Sequence, residues 1–181
     1  MDSFNYLFTL TDTQITTIEN LIKGESQSTW LANTYRQDKL SVHRETEAIL
    51  LKFWNKTETN PITVVNTTLI SKYSILDEVF AKAAEVLGLN KYIVQRYLFA
   101  KLPAGKQIYK HKDSFEVFKY SHRIHVPIIT SEDCLFTVDD QTMSIQKGKA
   151  TEINNLTWHS AENKSSIDRI HLIFDIKPDL S

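Results

Sequence analysis

The sequence predicts an α+β fold, with a helical part over residues 1–90 packed on a β-sandwich of the jelly-roll kind over residues 91–178. Helical periodicity with capping residues is confined to the first ninety residues. After Asn90 the chain becomes a succession of short apolar runs separated by turn residues. No linker, internal repeat or low-complexity tract divides it, so residues 1–181 read as a single domain.

Phe4 to Leu10 alternates well enough for a short strand. Thr11 or Asp12 can then cap a helix that carries Ile15, Ile18, Leu21 and Ile22 on one face. The segment Glu45 to Trp54 is apolar at a spacing that suits a helix end or a buried segment equally. Ser74 to Leu87 is the clearest helix, with a stripe of Ile75, Val79, Ala83 and Val86, and Gly88 stands where a C-terminal cap would fall. Short strands are then expected at 92–100, 107–113, 123–129, 134–138, 142–146, 149–153 and 169–176. Turn signals separate them at Pro103-Ala104-Gly105, Ser131-Glu132-Asp133, Asp139-Asp140 and Lys147-Gly148.

Bulk properties exclude several functions. With 41% hydrophobic and 24% charged residues and a formal net charge of −1, the chain has no general attraction for nucleic acid or an anionic membrane. Its single cysteine, Cys134, permits neither an internal disulfide nor a cysteine-based zinc site, and reads as a small buried hydrophobe. No apolar run approaches the ~20 residues of a membrane span. The N-terminal residues lack a signal-peptide pattern, so a cytoplasmic location is expected.

Five of the six histidines fall between residues 111 and 171. His111 and Asp113 are two apart, so on a strand both would project from one face. His159 lies several strands later, after Asn154-Asn155-Leu156-Thr157-Trp158. Two imidazoles and one carboxylate on one face of an octahedral iron leave three positions open, enough for a bidentate keto acid and dioxygen. Arg169 opens the last strand, and its forked, permanently charged guanidinium suits the distal (C5) carboxylate of 2-oxoglutarate. Arg123 and His125 share a face and could bind the keto-acid end of that cosubstrate or a substrate carboxylate, although Arg123 also suits a structural ion pair. Arg96 is a further cation within the sheet. His43 and His122 lack ligand spacing and read as ordinary core or surface residues, and Trp158 as a core or pocket-wall aromatic.

The stretch LPAGKQIYKHKD, then HRIHVPI, the Trp158-His159 turn and DRIHLIFDIKP resemble the aspartyl/asparaginyl β-hydroxylase family, over roughly residues 92–178. Among its members the chain is most similar to the bacterial cis-proline hydroxylases. The resemblance implies a double-stranded β-helix (jelly-roll or cupin) core that uses Fe(II), 2-oxoglutarate and O2. It implies iron ligation by His111, Asp113 and His159, cosubstrate binding by Arg169, and a pocket lined by Arg123 and His125. The aspartyl/asparaginyl β-hydroxylases proper carry glycine where this chain has Asp113, which moves it towards the proline-hydroxylase-like members. The expected activity is hydroxylation of a small-molecule substrate, free proline or a related amino acid first, with Arg123 holding its carboxylate. A peptidyl or carrier-bound residue comes second. The competing reading is a cupin-like protein that binds a metal or small ligand without oxidising anything. No nucleic-acid or membrane partner is expected, and helix faces in the first ninety residues could build a homodimer.

Overall fold

The computed structural model describes residues 2–56, 61–113 and 116–180. In chain order they form β1 (Phe4–Thr9), α1 (Asp12–Lys23), α2 (Gln27–Trp30), α3 (Tyr35–Lys39), a 3-10 turn (Ser41–His43), β2 (Glu47–Lys56) and β3 (Pro61–Val65). Next come α4 (Thr67–Lys72), α5 (Leu76–Val86), β4 (Tyr92–Leu102), β5 (Gln107–His111), a second 3-10 turn (Glu116–Tyr120) and β6 (His122–Ile129). The remainder is β7 (Cys134–Val138), β8 (Gln141–Met143), β9 (Lys149–Ile153), β10 (His159–Asn163) and β11 (Arg169–Pro178). A seven-stranded sheet in the order β1-β9-β6-β11-β4-β2-β3 faces a four-stranded sheet in the order β5-β10-β7-β8. Every strand pair in both sheets is antiparallel. Two such sheets make the jelly-roll sandwich. No helix among the described residues is long and apolar enough to cross a membrane.

The first ninety residues are more mixed than a helical part laid on a finished sandwich, because β1, β2 and β3 are themselves strands of the larger sheet. β2 is the ambiguous apolar segment around Glu45 to Trp54. Ile49 and Leu51 point into the core beneath the helices, while Ala48 and Leu50 pack with Leu98 and Ala100 on the opposite face. A strand buried on both faces shows no alternation, and periodicity alone cannot separate it from a helix.

Helices α1, α4 and α5 cover one face of the larger sheet. Thr11 caps α1 with a full capping box, its side chain accepting from Gln14 N while Gln14 Oε1 accepts from Thr11 N. Ile18 and Ile22 of α1 and Val79, Phe80 and Ala83 of α5 pack against Ile124, Val126, Leu172 and Phe174. Each of these side chains except Ala83 contributes about 1.5–3 kcal/mol when fully buried. Val86 departs from the expected stripe and is exposed, its place taken by Leu76 and Phe80. Gly88 ends α5 at φ 71°, with Leu89 N donating to Ala84 O in a Schellman-type closure.

Gly148 has a positive φ of 75° in the turn before β9, where its N–H donates to Pro127 O and its carbonyl accepts from Leu10 N. A Cβ there would stand 2.4 Å from Ile15 Cδ1 of α1. Gly148→Ala combines that clash with a left-handed backbone and is expected to cost about 1–3 kcal/mol, read as a lower denaturant midpoint. An unchanged midpoint would contradict this account of how α1 docks.

The other face of the larger sheet is different in kind. On β11 the residues Ile170, Leu172, Phe174 and Ile176 enter the helix-side core, so the alternate Arg169, His171, Ile173 and Asp175 face the smaller sheet. The same alternation turns Arg123 and His125 of β6, and Arg96 of β4, into the space between the sheets.

Candidate active site

The cavity between the sheets is lined by Arg96, Arg123, His125 and Arg169 from the larger sheet and by His111, His159 and Phe136 from the smaller one. Tyr35, Arg36 and His43, from α3 and the turn that follows it, close one side.

His111 ends β5 and His159 begins β10, and the two are directly paired across the ladder. That register sets their ring centroids 4.2 Å apart. Each imidazole is oriented by its own backbone, with Nδ1 at 2.7 Å from Tyr109 O in His111 and 3.0 Å from Thr157 O in His159. A carbonyl only accepts, so Nδ1 carries the proton and leaves each Nε2 with a free lone pair. Burial, followed by the neighbouring His111, pushes His159 down to about 4. Burial also lowers His111, against the carbonyl bond that raises it. Both rings are therefore neutral near pH 7, the form that binds a metal.

Asp113 lies two residues beyond the end of β5, so the expected strand over 107–113 is shorter than its sequence suggests. It nevertheless reaches the same point: one ligand atom from each of His111, Asp113 and His159 lies within 4.8 Å of the others. Asn155 holds the loop there, its carbonyl accepting from Asp113 N at 3.1 Å and its Nδ2 donating to Asp113 Oδ2 at 3.2 Å. Asn155 is a positioning residue that no spacing rule singles out.

Arg123 lines the cavity, but its three nitrogens are all engaged. Nε and Nη2 donate to the two oxygens of Asp175 at 2.8 and 3.0 Å, while Nη1 is ion-paired with Asp113. Its expected part in holding a substrate carboxylate thus meets a prior commitment to two carboxylates, the ion-pair alternative of the sequence. Arg96 approaches Asp175 from β4, with Nε 2.9 Å from Oδ2, though off hydrogen-bond geometry. Its guanidinium also lies over the rings of Phe53 and Phe118, at 5.4 and 5.1 Å. Burial alone would raise the Asp175 carboxyl, but Arg123 and Arg96 outweigh it and hold it below the ordinary carboxylate range.

Arg169 sits six residues along β11 from this cluster, or roughly 20 Å of extended chain. It is 2% exposed, and its Nε has no hydrogen-bond partner among the described residues. Burial lowers it only to about 10, so it stays charged at neutral pH. His125 and His171 are also buried and meet through their Nδ1 atoms at 3.4 Å. The His43 ring packs edge-on to His111, with centroids 5.4 Å apart. His122 is partly exposed and paired with Glu152 at 2.6 Å. Trp158 is not a pocket wall but an exposed ring beneath Lys112. Cys134 is buried and bonded to Asn163.

Residues 79–178 match the sequence model of the aspartyl/asparaginyl beta-hydroxylase family. No curated protein matches the chain by sequence. Among solved structures, an oxidoreductase of the 2OG-Fe(II) oxygenase family from Burkholderia pseudomallei superposes with a TM-score of 0.69 at 11% identity, covering 97% of this chain and 84% of its own. A viral collagen prolyl hydroxylase from Paramecium bursaria Chlorella virus-1, in complex with 2OG, gives 0.61 at 14% identity over 98% of this chain and 97% of its own. HygX from Streptomyces hygroscopicus, with nickel, 2-oxoglutarate and hygromycin B bound, gives 0.57 at 9% over 98% and 84%. At these identities the likeness is one of fold: the jelly roll of the 2-oxoglutarate oxygenases. The chain belongs to the aspartyl/asparaginyl β-hydroxylase family and is an enzyme of the iron(II)- and 2-oxoglutarate-dependent hydroxylase type.

Proposed function

We propose that the protein hydroxylates a C–H bond of a small amino acid, with His111, Asp113 and His159 holding iron(II) and Arg169 holding 2-oxoglutarate. The observation that carries this reading is the convergence of two neutral imidazoles and one carboxylate within 4.8 Å, in a cavity that also contains a buried, charged arginine. The donor set fits iron(II), since nitrogen and oxygen ligands on one face leave the opposite positions open. Arg169 fits a carboxylate, since a buried guanidinium with an unpartnered nitrogen recovers its lost hydration by binding one. When bound, iron(II) and 2-oxoglutarate would supply the redox chemistry: dioxygen is the oxidant, 2-oxoglutarate gives two electrons in becoming succinate and carbon dioxide, and the substrate C–H bond gives the other two.

The chain's own residues do the rest. Tyr109 and Thr157 carbonyls fix the two rings, Asn155 fixes the carboxylate, and the aromatic walls at Phe53, Phe118 and Phe136 keep water from the reacting C–H bond. A cavity enclosed largely by buried side chains suits a free amino acid better than a peptide, and the kinship with proline hydroxylases belongs to the same proposal. We also take residues 1–181 as one functional domain, because a single core joins Phe8 and Ile18 to Phe174 and Ile176.

The test is succinate formation by protein reconstituted anaerobically with iron(II), then aerated with a panel of free amino acids. Stimulation by at least one of them supports the reading, and absence of any iron-dependent succinate contradicts it. Arg169→Ala is expected to raise the apparent Kd for 2-oxoglutarate about 30-fold or more, and Arg169→Lys by less, since lysine keeps the charge and loses the fork. An unchanged Kd in Arg169→Ala would place the anchor elsewhere.

A further inference from the structure

Resting on that reading, we propose that Arg36 of α3 is the residue that binds the substrate's carboxylate, and so selects substrates bearing a free one. Four arginines line the cavity, Arg36, Arg96, Arg123 and Arg169, yet Asp113 is the only acidic residue lining it among the described residues. Asp175 lies beneath and neutralises Arg96 and Arg123 together with Asp113. Arg169 is left for the distal carboxylate of the cosubstrate, whose other end belongs at the metal. Arg36 then remains as a guanidinium without a carboxylate among the described residues.

Its surroundings make this surplus costly. Arg36 is 6% exposed, its Nη1 has no hydrogen-bond partner among the described residues, and its Nη2 reaches only His43 Nδ1 at 3.3 Å. Burial, then the charges of Arg96, Arg123 and Arg169, lower it to about 9, so it is still a cation at neutral pH. A buried, unpaired cation among other cations is destabilising, and an anion entering the cavity reverses that.

Position points to substrate and not cosubstrate. Arg36 hydrogen-bonds to His43, and His43 packs on His111, so one imidazole links the arginine to a proposed metal ligand. Tyr35, from the preceding position, packs edge-on to Phe53 and completes an apolar wall next to it. A carboxylate on Arg36 would thus lay a short aliphatic body along that wall, close to where oxidation occurs. Arg36 also lies outside residues 79–178, in the part of the chain that the family model does not describe.

The test uses full-length protein loaded anaerobically with cobalt(II) and saturating 2-oxoglutarate. Carboxylate-13C-labelled L-proline and acetate are the probes, and L-prolinamide is the control. A paramagnetic metal broadens the 13C signal of a carboxylate held near it, so binding is read without turnover. Wild type is expected to broaden the signal of at least one probe and to leave prolinamide unbound. Arg36→Met is expected to weaken that probe about 30-fold or more, with Arg36→Lys between the two. Arg36→Met removes a buried charge without stranding an opposite one, so it is expected to fold. Equal binding by Arg36→Met, or no carboxylate binding by wild type, overturns the assignment. Binding of 2-oxoglutarate, titrated in the same samples, separates the two readings: its retention leaves the hydroxylase standing whatever Arg36 does. Its loss in wild type would sink both.

Discussion

His159→Ala is expected to lower iron-dependent turnover about a thousandfold or more, because losing one of the three proposed ligands removes several kcal/mol of metal-centred stabilisation. His159 belongs to a five-residue strand between β5 and β7, and its backbone pairing with His111 and Val138 does not need the imidazole. The variant should therefore fold, keep its helix signal, and bind iron(II) much more weakly. Asp113→Ala is expected to behave alike, since no other carboxylate among the described residues groups with the two imidazoles. Arg123 would still be held twice by Asp175 in that variant, so the sheet should survive. Metal content and succinate yield, measured side by side, check both. Undiminished turnover with full iron content in either would remove that residue from the site.

The second large effect concerns stability. Asp175 is 1% exposed and holds two guanidiniums from the strands on either side, Arg123 of β6 and Arg96 of β4. The register places it opposite both. Asp175→Asn keeps the shape and removes the charge, leaving two buried cations with no shared counter-ion. Breaking such an arrangement costs about 3–5 kcal/mol, equivalent to roughly 10 °C in Tm for a chain of this size. The folded carboxyl titrates below its unfolded value, so its stabilisation is complete above about pH 4 and is lost as pH falls through the lower folded value. Wild type should lose stability steeply in acid, whereas Asp175→Asn should be weaker at neutral pH and show a shallower acid limb. An asparagine variant as stable as wild type at pH 7 would contradict this picture of the inner face.

What the sequence revealed depended on how local each signal was. The His111–Asp113 spacing is readable because the two residues are neighbours in the chain as well as in space, whereas His159 and Arg169 are readable only from their order further along the chain. Strands at 134–138 and 149–153 are legible to the residue because β7 alternates buried and half-buried positions and turn residues frame both. β2 was ambiguous because both its faces are buried. β10 was hidden because two of its side chains, His159 and Asn163, are polar and buried through hydrogen bonding, not hydrophobicity. Arg36, His43 and Asn155 carry no spacing signal, since Arg36 and His43 reach the cavity from a short helix and the turn after it, and Asn155 reaches Asp113 from a turn. The double duty of Arg123 was equally invisible: it depends on which residue of β11 lies opposite, and register is a property of paired strands.

The most direct test of the central claim is an anaerobic titration of the full-length protein with iron(II) and 2-oxoglutarate, followed by visible absorption. A charge-transfer band is expected that needs both additions, saturates at one iron per chain, and is absent in His159→Ala. A band that persists without His159, or 2-oxoglutarate binding that is indifferent to iron, would contradict it.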